Sequence, residues 1–105
     1  MMNPDISRRE TTARMRGDAR VTPREALVAL GTALRFPLEI DDEGAEYLLP
    51  TSDTTLEVHV DDSDSRYPLV LTVWHWRSQA EARLVLDELR PRITRTTGWT
   101  IVASE

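Results

Sequence analysis

Two segments of this chain start with a capping box and continue with apolar residues at helical spacing, and they enclose a stretch of strand-like alternation. The first capping box is TPRE at residues 22–25, with threonine at the N-cap, proline at the first helical position and glutamate three residues after the cap. The second is SQAE at residues 78–81. Helices at both ends of a strand-rich middle limit the chain to a layered fold that combines helices with a sheet.

A proline predicts the end of each helix. An apolar stripe of leucines follows the first capping box, and the residue before Pro37 is disfavoured in the helical conformation. A similar stripe follows the second capping box, and Pro91 removes a backbone donor from any continuing helix. We therefore predict helices over residues 23–35 and 79–90.

Four strands are predicted in addition to the helices. Residues 55–60 alternate between apolar and polar side chains, whereas residues 69–76 are apolar on both faces, as in a central strand. A right-handed crossover through the second helix is expected to join residues 69–76 to a last strand at 99–103. With a further strand at 45–49, the element order is α-β-β-β-α-β. This order predicts an α+β two-layer sandwich, in which a four-stranded mixed sheet carries both helices on one face.

Charged residues are unevenly distributed along the chain, whose formal net charge is -5. Residues 36–65 contain ten acidic residues and no basic residue. Residues 1–21 contain few apolar residues, so we predict a flexible arginine-rich N-terminal arm followed by a single small domain over residues 22–105. The arginines of the arm available for contact with nucleic acid are Arg8, Arg9, Arg14, Arg16 and Arg20.

Cysteine and lysine are both absent from the sequence. Their absence excludes disulfide bonds, cysteine-ligated metals, thiol nucleophiles and Schiff-base lysines. The only histidines, His59 and His75, are predicted to project from opposite faces of the sheet, so they do not form a shared metal site. The four glycines are scattered and form no phosphate-binding loop, and no nucleophile-elbow motif is present. We therefore expect no enzymatic activity, no cofactor and no bound metal.

Placing two helices on one face leaves the other face of the predicted sheet without a helix. Residues 69–76 are apolar on both sides, so a shift of one residue would exchange the faces of this strand, but either register puts at least one tryptophan on the uncovered face. Exposed apolar surface of this kind is typical of protein–protein interfaces, in which tryptophan is enriched. The alternative is that the N-terminal arm folds back over the sheet. The predicted interface residues are Trp74, Trp76, Val70, Thr72, Val102, Glu57 and His59.

The predicted function is that of a non-catalytic protein–protein interaction module, in the class of inhibitors, immunity proteins and chaperone-like adaptors. A surface that is uniformly acidic steers a protein toward a basic partner. The uncovered face of the sheet can also bind a second copy of the chain, which would form a homodimer. The acidic surface is predicted at Asp41, Asp42, Glu43, Asp61, Asp62 and Asp64.

The alternative function is nucleic-acid binding through the arginines of the arm. Arginines neutralise phosphates, but the negative charge of residues 25–105 repels nucleic acid and confines any contact to the arm. A membrane partner is not expected, because the longest apolar-rich stretch, residues 69–76, is far too short to span a bilayer. No apolar run follows the first arginines, as a signal peptide would require, so we expect a cytoplasmic location.

Overall fold

The computed structural model describes residues 11–104, which form a six-stranded sheet and two helices. In chain order the elements are β1 (Thr12–Gly17), α1 (Pro23–Leu34), β2 (Leu38–Ile40), β3 (Glu46–Thr51), β4 (Thr54–Val60), β5 (Leu69–His75), α2 (Gln79–Thr97) and β6 (Ile101–Ser104). The strand order across the sheet is β2-β3-β4-β5-β1-β6, and every neighbouring pair is antiparallel. β1, the first strand of the described residues, therefore lies between β5 and β6.

The structure is α+β with two helices, but the prediction of a four-stranded mixed sheet is wrong, because the sheet has six strands and is antiparallel throughout. The two strands that the sequence did not predict are β1 and β2. The inward-facing residues of β1 are Ala13, Met15 and Gly17, which lack the β-branched or aromatic side chains that mark a strand. β2 is only three residues long, so its alternation is too short to recognise.

β1 takes part of the predicted arm into the interior of the sheet. It pairs with β5 along its whole length and with β6 from Arg14 onward. The folded part of the chain therefore starts well before the predicted boundary at residue 22. Arg14 and Arg16, both assigned to the arm, are strand residues. Arg8 and Arg9 lie outside the described residues, and a flexible arm at that end of the chain stays a prediction.

The predicted crossover through α2 joins two strands that are not neighbours. β5 and β6 are each antiparallel to β1, so they run parallel to each other with β1 between them. Met15 of β1 is fully buried in this position and pairs with Leu71 of β5. β1 therefore contributes buried residues between β5 and β6, the two strands that the crossover joins.

Both predicted capping motifs start a helix where the sequence predicts one, but only the first forms the reciprocal capping box. The Thr22 N–H donates to Glu25 Oε1 at 2.9 Å, and the Glu25 N–H donates to Thr22 Oγ1 at 3.1 Å. The hydrogen bond from the Thr22 backbone, aided by the Thr22 side chain, lowers the pKa of Glu25 because it favours the ionised carboxylate. At the start of α2 the Glu81 N–H donates to Ser78 Oγ at 3.1 Å.

α2 continues past Pro91, so the predicted helix end at residue 90 is wrong. A proline inside a helix removes a backbone hydrogen bond and crowds the preceding turn, which costs about 3 kcal/mol. Burial on either side offsets this cost, because Leu89 is 2% exposed and Ile93 is fully buried. The helix ends at Gly98, whose φ of 77° is left-handed and whose N–H donates to the Thr94 carbonyl at 2.9 Å.

One apolar core lies between the two helices and one face of the sheet. Alternate residues of β4 and β5 point into it, among them Leu56, Val58, Leu71 and Val73. α1 packs on β3 and β4, α2 packs on β1 and β5, and the helices contact each other. Both helices therefore lie on the same face, and among residues 11–104 no helix covers the other face.

Candidate protein-binding surface

The sheet face opposite the helices, which we call the open face, carries the side chains that alternate with the core residues. Because neighbouring strands are in register, these side chains form one continuous surface across β4, β5, β1 and β6. Its members are Thr12, Arg14 and Arg16 of β1, Thr55, Glu57 and His59 of β4, Val70, Thr72 and Trp74 of β5, Val102 and Ser104 of β6, and Trp76 just after β5.

A tryptophan pair stands at one end of the open face. The rings of Trp74 and Trp76 meet edge to face, with centroids 5.5 Å apart and planes at 89°. Trp74 is half-buried, whereas Trp76 is 71% exposed. The Trp76 N–H donates to the Asp53 carbonyl at 2.9 Å, which extends the β4–β5 ladder by one residue and fixes the backbone that carries the ring. The pair therefore presents a large apolar surface to solvent in a defined orientation.

The middle of the open face is polar. Arg14 and Glu57 are the residues opposite Thr72 on the two strands that flank β5. Thr72 is only 6% exposed, whereas Arg14 is exposed and Glu57 is half-buried. A side chain of each charge thus lies next to the tryptophan pair, which is the mixture of aromatic and charged groups found in protein-binding surfaces.

The structure brings all seven residues of the predicted interface onto the open face. Their role in binding stays a prediction, and the structure adds Thr12, Arg14 and Arg16 from β1 to the same surface. Sequence reasoning missed these three because it assigned them to the arm. The alternation of Arg14 and Arg16 with the apolar residues Ala13 and Met15 is the signal that identifies this strand.

Two residues of the predicted acidic surface are held by an arginine from β1. Arg16 Nη2 lies 3.1 Å from Asp61 Oδ2, and Arg16 Nη1 lies 3.4 Å from Asp64 Oδ2. The pKa of Asp61 is lowered mainly by a hydrogen bond from the Ser63 hydroxyl and next by the hydrogen bond from Arg16. The pKa of Asp64 is lowered by hydrogen bonds from the backbone N–H groups of Tyr67 and Arg66. These carboxylates serve to order the β4–β5 loop, and Arg16 offsets part of their charge.

The remaining predicted acidic residues lie at the tip of the β2–β3 hairpin. Asp41 Oδ1 accepts hydrogen bonds from the N–H groups of Glu43 at 2.8 Å and Ala45 at 2.9 Å, which closes the turn. Gly44 has a φ of 86°, so glycine is the residue that this turn favours. Asp42 and Glu43 are exposed. The acidic surface is therefore divided between this hairpin tip and the β4–β5 loop, where Asp62 is also exposed.

Arg16 and Arg20, two of the three described arginines of the predicted arm, make contacts within the fold. In addition to its two carboxylates, Arg16 donates from Nη1 to the Tyr67 carbonyl at 3.2 Å. Arg20 donates from Nη2 to the Ser65 carbonyl. Arg14 is exposed on the open face. These contacts remove support from nucleic-acid binding by a free arm, because Arg16 and Arg20 are directed to the β4–β5 loop instead.

The two histidines lie on opposite faces of the sheet, as predicted, and have different surroundings. His59 is exposed on the open face, whereas His75 is only 6% exposed. His75 Nδ1 accepts from the Arg77 N–H at 3.0 Å, which places the ring proton on Nε2, and Nε2 lies 2.9 Å from Glu81 Oε2. Within residues 11–104 no group of three or more histidine, aspartate or glutamate residues is arranged to hold a metal ion.

The chain matches no protein-family model, no curated protein and no solved structure. Neither of the helices in the described part of the chain is both long and apolar enough to cross a membrane.

Proposed function

We propose that this chain is a non-catalytic protein-binding module whose partner docks on the open face. The observation that carries the proposal is the exposed Trp76, which is 71% exposed and rests edge to face on Trp74. Fully burying a large apolar side chain contributes about 1.5–3 kcal/mol, so a docked protein gains binding energy from this ring. Tryptophan is also one of the residues that most often dominate the energy of a protein interface.

The geometry supports a protein partner over a small molecule. The open face is a sheet surface, and it presents Arg14 and Glu57 one position along from the tryptophan pair and His59 further along β4. Such a surface offers both an apolar anchor and charged groups that pair with a partner's side chains. Inhibitors, immunity proteins and chaperone-like adaptors are the proposed class, since each acts by covering part of another protein.

The charge of the chain supports a basic partner. The net charge is -5, and residues 36–65 contain no arginine or lysine. Asp42, Glu43 and Asp62, which lie in this segment, are exposed. Long-range attraction to a basic protein raises the association rate more than the affinity. A second copy of the chain is the other proposed partner, because the open face can pair with itself across a two-fold axis.

The test compares Trp76→Ser with Leu84→Ser. Leu84 is a matched control, because it is 67% exposed but lies on α2, away from the open face. A partner captured from a native cell lysate is purified, and its affinity for the wild-type chain and both variants is measured by titration calorimetry. We expect Trp76→Ser to weaken binding at least tenfold and Leu84→Ser to change it less than about twofold.

Light scattering of the purified chain tests the second copy as partner. A wild-type dimer that Trp76→Ser converts to a monomer identifies self-association through the open face. Wild-type affinity in the Trp76→Ser variant would contradict binding at this face, whatever the partner.

A further inference from the structure

A second surface, separate from the open face, lies at the β2 edge of the sheet. β2 pairs with β3 on one side, and among residues 11–104 no strand pairs with its other side. The Leu49 N–H donates to the Pro37 carbonyl at 3.1 Å, and the Asp41 N–H donates to the Ala45 carbonyl at 2.9 Å. Because hydrogen-bonded pairs alternate in an antiparallel ladder, the backbone N–H and C=O groups of Leu38 and Ile40 point away from β3.

The side chain of Leu38 borders an apolar groove, and the side chain of Ile40 is exposed on the same side of β2. Leu38 is opposite the buried Leu48, so Leu38 and Ile40 are on the helix side of the sheet, where they are 38% and 63% exposed. Val28 of α1 is 48% exposed on the other wall of the groove. The groove between α1 and β2 has a volume of about 260 Å³. Unpaired backbone groups and exposed apolar side chains thus occur together on one edge.

The charge of β2 and of the hairpin tip determines which kind of strand can pair with this edge. Glu39 lies within β2, and Asp41, Asp42 and Glu43 follow directly at the hairpin tip. A second copy of β2 paired symmetrically about Glu39 would bring the two Glu39 side chains opposite each other, which is destabilising. Charged residues on a short edge strand protect it against pairing with identical chains. A strand of opposite charge meets no such repulsion.

We propose that the β2 edge binds an extended basic segment of a partner protein, which adds a strand to the sheet beside β2. The backbone of the added strand pairs with the outward N–H and C=O groups of Leu38 and Ile40. Its alternate apolar side chains enter the groove beside Val28, and its arginine or lysine residues lie at the hairpin tip. This site is independent of the open face, so either proposal stands if the other fails.

The probe is a phage-displayed library of random twelve-residue peptides, selected on the wild-type chain. We expect the enriched peptides to alternate apolar residues and to carry a basic cluster at one end. Synthetic peptides from the selection are then measured by fluorescence anisotropy on the wild-type chain and four variants, one of which is Trp76→Ser. Ile40→Arg should weaken their binding at least tenfold, while Leu84→Arg, at an equally exposed leucine of α2, should leave it unchanged.

A double variant, Asp42→Asn with Glu43→Gln, removes charge without altering the groove or the Asp41 turn. It should weaken binding at least threefold, and the loss should disappear in high salt. Urea unfolding of each variant verifies that the fold is retained. Peptide binding that depends on Trp76 and not on Ile40 would overturn the proposal but support the open face. No enrichment, enrichment of peptides without basic residues, or a wild-type dimer that Ile40→Arg dissociates would also overturn it.

Discussion

Gly17 and Ile101 face each other across β1 and β6, and the end of the Ile101 side chain occupies the space where a side chain at residue 17 would start. A Cβ atom placed on Gly17 would lie 2.9 Å from Ile101 Cδ1, and Ile101 is only 7% exposed. The close contact lets β1 and β6 pack under α2 at the end of the sheet where the chain returns from the helix. A side chain at residue 17 therefore requires the end of the Ile101 side chain to move.

Gly17→Ala should lower the free energy of unfolding, because the new methyl group forces the buried Ile101 side chain to move. The loss should be about 1 kcal/mol, at the low end for overpacked cores, because the atom that must move is the end of a flexible side chain. In an Ile101→Val background the terminal methyl group is gone, so the same substitution should cost about 1 kcal/mol less. Urea unfolding of the two single variants and the double variant measures the coupling. Additive losses would show that the two residues do not compete for the same space.

Met15→Ala should destabilise the protein by about 2–5 kcal/mol, since Met15 is fully buried between β5 and β6. Arg14→Ala, at the exposed neighbouring position, should change the free energy of unfolding by less than about 0.5 kcal/mol. Thermal and urea unfolding compare the two. In a flexible arm neither substitution would change the free energy of unfolding. Small losses of similar size for both variants would therefore contradict the burial of β1 in the sheet.

Pro91→Ala should stabilise the protein by about 1–2 kcal/mol. The substitution restores a backbone donor inside α2 and relieves crowding, although alanine also makes the unfolded chain more flexible. Pro23→Ala is the matched control, because Pro23 occupies the start of α1, where proline is favoured. We expect the control to be neutral or slightly destabilising. A loss of stability in Pro91→Ala would mean that the helix depends on the proline at this position.

Acid should destabilise the protein through the β4–β5 loop. The folded state lowers the pKa of both Asp61 and Asp64, so their contribution to stability is present above the ordinary aspartate pKa of about 3.9. It is lost as the pH falls through the lowered values. Asp64→Asn keeps an oxygen acceptor for the Tyr67 N–H but cannot ionise. Urea unfolding is measured from about pH 2 to about pH 6, on both sides of that pKa. The free energy of unfolding should depend less steeply on pH in this variant than in the wild-type chain.

A wild-type slope in Asp64→Asn would assign the acid sensitivity to other carboxylates. Asp61→Asn provides the second measurement, because Asp61 contacts the other Arg16 nitrogen, Nη2. Similar reductions in both variants would indicate that the two carboxylates stabilise the loop together with Arg16.

The helix starts and the inward face of the middle strands could be predicted from the sequence, because local signals determine them. Thr22 and Ser78 cap their helices through residues only three positions away. The alternation of Leu56 and Val58 with polar neighbours likewise defines which face of β4 is buried. The same kind of alternation predicted that the seven interface residues share one face of the sheet. It does not identify what binds to that face.

The tertiary structure alone decided the features that depend on residues far apart in the chain. Arg16 and Asp61 are separated by 45 positions, so no local pattern could show that they form an ion pair. β1 forms because β5 and β6 supply its hydrogen bonds, and α2 passes Pro91 because Ile93 is buried against the core. Capping and alternation are encoded in neighbouring residues, whereas strand pairing and burial are encoded in contacts that exist only after the chain has folded.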